Sequence, residues 1–176
     1  MRKEEIEKLK FDGWILPDTI LAEIGRMTVI WSSLESFLLI CIGKLAGYEH
    51  TDPKIYMLFL HSTFPQKLDV LARLCEMLKQ QFPNLAGYED VISKLKSAQK
   101  TRNKYAHSAM YLDQETGEIV ILQASSRGKL KTSIGTFDIT DIKMGIIEIY
   151  EAQAALYKII MGKDLPPVPK HIQINT

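Results

Sequence analysis

The chain has 176 residues, 46% of them apolar, and its 22 basic side chains nearly balance 21 acidic ones for a formal charge of +1. That length fits one domain, and the apolar content suffices to bury a continuous core without disulfide or metal staples. The charge balance excludes a globally basic nucleic-acid binder and an acidic tail, so any basic partner surface must be local. Cys41 and Cys75 each fall inside an apolar helical pattern, where a free thiol acts as a small hydrophobe, and a reducing cytoplasm is the expected setting. Met1 to Lys10 is a charged run with no signal-peptide apolar stretch behind it. The longest apolar run, Phe37 to Ile42, falls far short of the roughly 20 residues of a membrane span, so no membrane segment is expected.

After the segment 1–17, a long helix is predicted from Asp18 or Thr19, suitable caps behind Pro17, to about Ala46. Its stripe of Ile20, Ile24, Met27, Trp31, Leu34, Leu38, Cys41 and Leu45 alternates steps of four and three, as an amphipathic helix requires. Phe37 to Ile42 is apolar all round, which predicts cover on two sides, a second copy of the chain being one candidate. A short apolar segment, Ile55 to Leu60, comes next. Phe64, Leu68, Leu71, Cys75, Leu78 and Phe82, with Pro65 in the first turn, then predict a second long helix closed by Pro83 and Asn84. A third helix, from about Leu85 to Ala106, carries Val91, Leu95, Ala98 and Tyr105 on one face.

The apolar period changes to two along Glu118 to Gln123, with turn signals at Asp113 to Gly117 and Ser125 to Gly128, which predicts an antiparallel meander over 109–137. Asp138 or Thr140 caps a last helix bearing Ile147, Tyr150, Ala154, Tyr157 and Met161, and the Pro-rich tail within 163–176 should be extended or loose. Met57, Met77 and Met144 are expected as core fillers. The predicted fold is therefore mainly α: an up-and-down bundle of four to five helices over 18–162, with a small β insertion before the last helix.

On an ideal helix, Val91, Leu95, Ala98, Arg102 and Tyr105 fall within about 80° of one another, which makes Arg102 the charged member of a core-facing stripe. A guanidinium stays protonated, so burying it calls for an anionic partner or a wet cleft. Glu35, between Trp31, Leu38 and Ile42 on the apolar face of the first helix, supplies the expected partner in a buried ion pair. His107 lies about 140° from Arg102 and leans toward the lysine ladder Lys96, Lys100 and Lys104. Asn103, four residues before His107, is placed to hold the imidazole in one tautomer. A phosphodiester there would meet an imidazole, a permanent cation and a basic ridge. Each feature has a blander reading: a surface histidine, a solvated lysine face, a structural arginine ion pair.

Arg102-Asn-Lys-Tyr-Ala-His107-Ser108, late in a long helix, resembles the Arg-polar-x-x-x-His signature of the HEPN superfamily of helical RNases. Trp31-Ser-Ser-Leu-Glu35 on the first helix is similar to a pattern of its bacterial members, and the resemblance in helix order covers roughly 18–162. It implies metal- and cofactor-independent RNA cleavage in which the 2'-hydroxyl attacks the adjacent phosphate and leaves a cyclic phosphate. His107 would be general base or acid, Arg102 would stabilise the phosphorane, and Asn103 would orient His107 or the phosphate, with Glu35, Tyr105 and Ser108 in support. It further implies a homodimer with a composite site, RNA as partner, and a toxin-antitoxin, stress or phage-defence setting with an antitoxin or other protein partner. Tyrosine modification two residues after the histidine, a control mode in that superfamily, meets Ala109 here, with Tyr111 two residues further on.

No metal site is expected, since His50, His61 and His171 are scattered and no Cys-x-x-Cys pair occurs. The rival reading is a non-catalytic dimerisation or binding module in which Arg102 and Glu35 are structural.

Overall fold

In the computed structural model, residues 16–49, 52–113, 116–125 and 131–167 are described. The expectations for most of the segment 1–17, the tips of both strand turns, His50, His171 and the end of the tail lie outside them. Helix α1 (Asp18–Leu45) starts behind Pro17, which takes the cap position without a side-chain bond, so neither Asp18 nor Thr19 caps it. Its predicted stripe is buried except for half-buried Ile24 and Leu45. By length and composition α1 is apolar enough to cross a membrane, a property hidden when only unbroken apolar runs are counted. Its apolar face instead packs on α3 and α5 as a core helix.

The short segment forms helix α2 (Pro53–Phe59), capped by the Asp52 side chain on the Lys54 N–H. Within the chain, the all-round apolar stretch of α1 buries Leu38, Leu39, Cys41 and Ile42 and half-buries Phe37 and Ile40, with neighbours from two further helices close by. Ile55 of α2 lies 3.0 Å from a Cβ placed on Gly43, and the Phe37 ring stacks obliquely on Tyr157 of the last helix at 5.4 Å. That stretch therefore supplies no independent argument for a dimer.

Helix α3 (Phe64–Leu78) opens with a Thr63/Gln66 capping box and Pro65 in its first turn. It ends a turn sooner than the spacing predicts, leaving Phe82 half exposed and Pro83–Leu85 in a 3-10 turn. The Asn84 amide donates to the Ile159 carbonyl at 2.6 Å, which ties that corner to the last helix, and α4 (Tyr88–Ala106) starts only after Gly87, whose backbone is left-handed. Strands β1 (Ala109–Leu112), β2 (Ile119–Ser125) and β3 (Lys131–Phe137) form the predicted antiparallel meander in the order β1-β2-β3. Ile121 and Phe137 face the helical core.

Helix α5 (Ile139–Met161) is capped by Asp138, whose carboxylate accepts from the Thr140 and Asp141 N–H groups. Its buried face is Ile142, Gly145, Ile146, Ile149, Ala152, Leu156, Ile159 and Ile160, while the predicted Ile147, Tyr150, Ala154, Tyr157 and Met161 form its half-buried shoulder. A helix this apolar offers two adjacent stripes of equal period, and only packing selects between them. Met57, Met77 and Met144 are surface residues, contrary to the core role expected of them. Both cysteines are buried and free. Burial pushes the Cys41 thiol up, and burial with the nearby Glu89 charge holds Cys75 at about 11.

Candidate active site

Helix α4 supplies the candidate residues from its last turn. Val91, Leu95, Ala98 and Tyr105 are buried as the stripe predicts, and this orients Arg102 toward the seam with α1, where it is half-buried. The helix stops at His107, whose backbone has left helical geometry (φ −120°, ψ 8°) while its N–H still reaches the Asn103 carbonyl at 3.2 Å. Only His107 and half-buried Ser108 link α4 to β1, so the imidazole stands exposed at a corner between helix and sheet.

The Arg102 guanidinium bridges the motif. Its Nη1 donates to Asn103 Oδ1 at 3.1 Å and lies 3.0 Å from His107 Nε2. A guanidinium has donors only, so a hydrogen bond across this contact needs a lone pair on Nε2, which in a neutral imidazole leaves the proton on Nδ1. The Arg102 Cζ lies 5.7 Å from the centre of the Trp31 ring, itself packed on Phe64 at 4.5 Å. Arg102 is thus held by an aromatic face from α1 and an amide from its own helix.

Two expectations need correction. No ion pair joins Glu35 to Arg102 among the described residues: Glu35 is only half-buried, so its carboxylate is not cut off from solvent and does not demand a partner. The charge that α1 does bury is Glu23, paired with Arg26 one turn on. Asn103, expected to hold the imidazole, instead holds the guanidinium, because Arg102 is long enough to reach between amide and ring. Arg102 does curl toward His107 despite their different helical faces, as the sequence suggests.

Tyr105 is a core residue. Its ring meets Phe137 edge-on at 5.7 Å, and burial with the charges of Asp141 and Asp138 holds its hydroxyl up at about 12. Lys96, Lys100 and Lys104 are exposed along α4. Lys104 folds back so that Nζ sits 5.0 Å over the Tyr105 ring and 3.4 Å from its hydroxyl.

Sequence reasoning missed two features: Trp31 as the support of Arg102, and a polar clamp one turn earlier. Ser97 Oγ and Thr101 Oγ1 donate to Glu148 Oε1 and Oε2 of α5 at 2.5 and 2.6 Å. The spacing of Ser97 and Thr101, four apart on one helix face, was the available signal. Comparison with known proteins finds no family model, no curated protein and no solved structure that matches the chain.

Proposed function

We propose that the chain is a HEPN-type endoribonuclease that cleaves RNA through Arg102 and His107 without a metal ion. The observation that carries this reading is the 3.0 Å approach of Arg102 Nη1 to His107 Nε2, a permanent cation beside an imidazole lone pair at an exposed corner. A phosphodiester arriving there offers non-bridging oxygens to the guanidinium, which then releases Nε2. The freed Nε2 takes the proton of the 2'-hydroxyl as its oxygen bonds to phosphorus, the bond to the 5'-oxygen breaks, and a cyclic phosphate remains. Arg102 stabilises the charge that builds on the equatorial oxygens.

The leaving 5'-oxygen needs a proton in turn. A second His107, presented in its protonated form by another copy through a two-fold contact, supplies it as a general acid, so the complete site is composite and the functional unit a homodimer. The exposed lysines of α4 form the approach for the RNA backbone, and an antitoxin or other protein partner fits the control of such an activity.

The test is cleavage of single-stranded RNA in the presence of a metal chelator. Wild type is expected to generate cyclic-phosphate ends, and His107→Ala to lose about 10²- to 10⁴-fold in rate, the worth of one acid-base group. Equal rates for wild type and His107→Ala would leave the non-catalytic binding module as the reading.

A further inference from the structure

We infer that Glu148, on α5, is a positioning residue that sets the last turn of α4 through Ser97 and Thr101, and so holds Arg102 against His107. The catalytic consequence rests on the ribonuclease reading above; the geometric one does not.

The final turn of a helix is its weakest part, because its last carbonyls have no partner within the helix. Here Asn103 stands in that turn with Arg102 directly before it, His107 caps the helix, and the sheet begins two residues after the cap. Two hydroxyls one turn apart converge on the two oxygens of one carboxylate at 2.5 and 2.6 Å, charge-assisted bonds of the stronger kind. Thr101 directly precedes Arg102, so its hydroxyl bond fixes the helical phase from which the guanidinium departs.

The helices are also built to approach closely at this point. A Cβ on Gly145 would stand 2.8 Å from Thr101 Cγ2 and 3.0 Å from Met27 Cε, so the residue facing Thr101 can only be glycine without displacing it. Three residues on, Glu148 reaches the same threonine with its carboxylate. Thr101 is therefore held by contact on its methyl and by a hydrogen bond on its hydroxyl, and the two can be separated by substitution.

Thr101→Val keeps the methyl and removes the donor, whereas Thr101→Ser keeps the donor and removes the methyl. Glu148→Gln, which retains one acceptor oxygen, weakens the clamp without removing its bulk. The readouts are the ring-nitrogen NMR shifts of neutral His107, assigned by their loss in His107→Gln, together with kcat and KM on a single-stranded RNA oligonucleotide. Wild type should show the Nδ1–H tautomer. Thr101→Val should shift His107 toward the Nε2–H form that unconstrained imidazoles favour, with kcat down about 10- to 100-fold, the scale of a small misplacement, and KM little changed. Glu148→Gln should fall between Thr101→Val and wild type, and Thr101→Ser should rescue both readouts. Should Thr101→Val fail to fold, Glu148→Gln against wild type carries the same comparison.

A Thr101→Val or Glu148→Gln protein with an unaltered tautomer would overturn the inference, as would Thr101→Ser damaged as badly as Thr101→Val. Should wild type cleave no RNA while the tautomer responds as described, the ribonuclease reading falls and the positioning role stands.

Discussion

The Arg102 guanidinium carbon lies 5.7 Å from the centre of the Trp31 ring, so α1 meets the candidate site through a π face and not through a carboxylate. Trp31 is buried and Glu35, one turn on, is only half-buried. Trp31→Ala should therefore cost about 3 to 5 kcal/mol, as removal of a large core aromatic does. Glu35→Ala should stay within about 0.5 kcal/mol of wild type, as surface changes do. Denaturant midpoints check both, and a loss at Glu35 as large as that at Trp31 would contradict this assignment of partners.

Gly145→Ala places a methyl group against Thr101 Cγ2 at 2.8 Å. The Met27 side chain can yield, being flexible at its end, but Thr101 is tied by its hydroxyl to Glu148. Overpacking of this kind costs about 1 to 3 kcal/mol. A Tm equal to wild type would show that the α4 and α5 seam has slack.

Alkaline pH should weaken the fold through Tyr105. Its folded hydroxyl is held at about 12, above the value of about 10 for an unfolded chain. The unfolded state thus loses its proton first as pH rises. The Tyr105 contribution is complete below about pH 10 and is lost as pH climbs toward 12, with a slope of at most about 1.4 kcal/mol per pH unit. Tyr88, held at about 12 by its bond to Glu76, titrates in the same window, so the comparison is wild type against Tyr105→Phe. Between about pH 10 and about 12 wild type should lose stability relative to Tyr105→Phe, and a constant offset would show that Tyr105 does not titrate there.

The lysine ridge should act on RNA affinity more than on turnover at saturation. Lys96 and Lys100 are exposed and free to meet phosphates, while Lys104 already leans on Tyr105. Each phosphate contact contributes about 0.7 to the log-log salt slope for a single strand. Replacing Lys96 and Lys100 by Gln should flatten the slope by roughly twice that amount, with a smaller further change from Lys104→Gln. An unchanged slope and affinity would return the ridge to solvent.

The helices and the meander were legible because their apolar periods are clean: the alternating steps of α1 and the period of two in β2 leave one reading each. The phase of α5 was not, because Ile146 and Ile147 are equally apolar and sequence carries no record of which faces inward. Within the site, helical spacing set Arg102 and His107 about 140° apart, and the length of the arginine side chain brings the two together. Spacing misassigned their partners, since the reach of an arginine side chain spans a π face, an amide and a ring, and only coordinates show which it meets. The Glu148 clamp joins residues 47 and 51 positions apart, a separation that helical periodicity does not connect.

The two sequestered thiols leave the native surface without a reactive thiol, since both are buried and burial favours their protonated form. A cysteine introduced at exposed Ala106, beside His107, would thus be the single labelling point on each copy, with no need to strip the native cysteines first. One spin label per chain then turns the proposed composite site into a ruler reading. Paired motifs across a two-fold axis give one short label-to-label distance, and chains that never bring their α4 ends together give none.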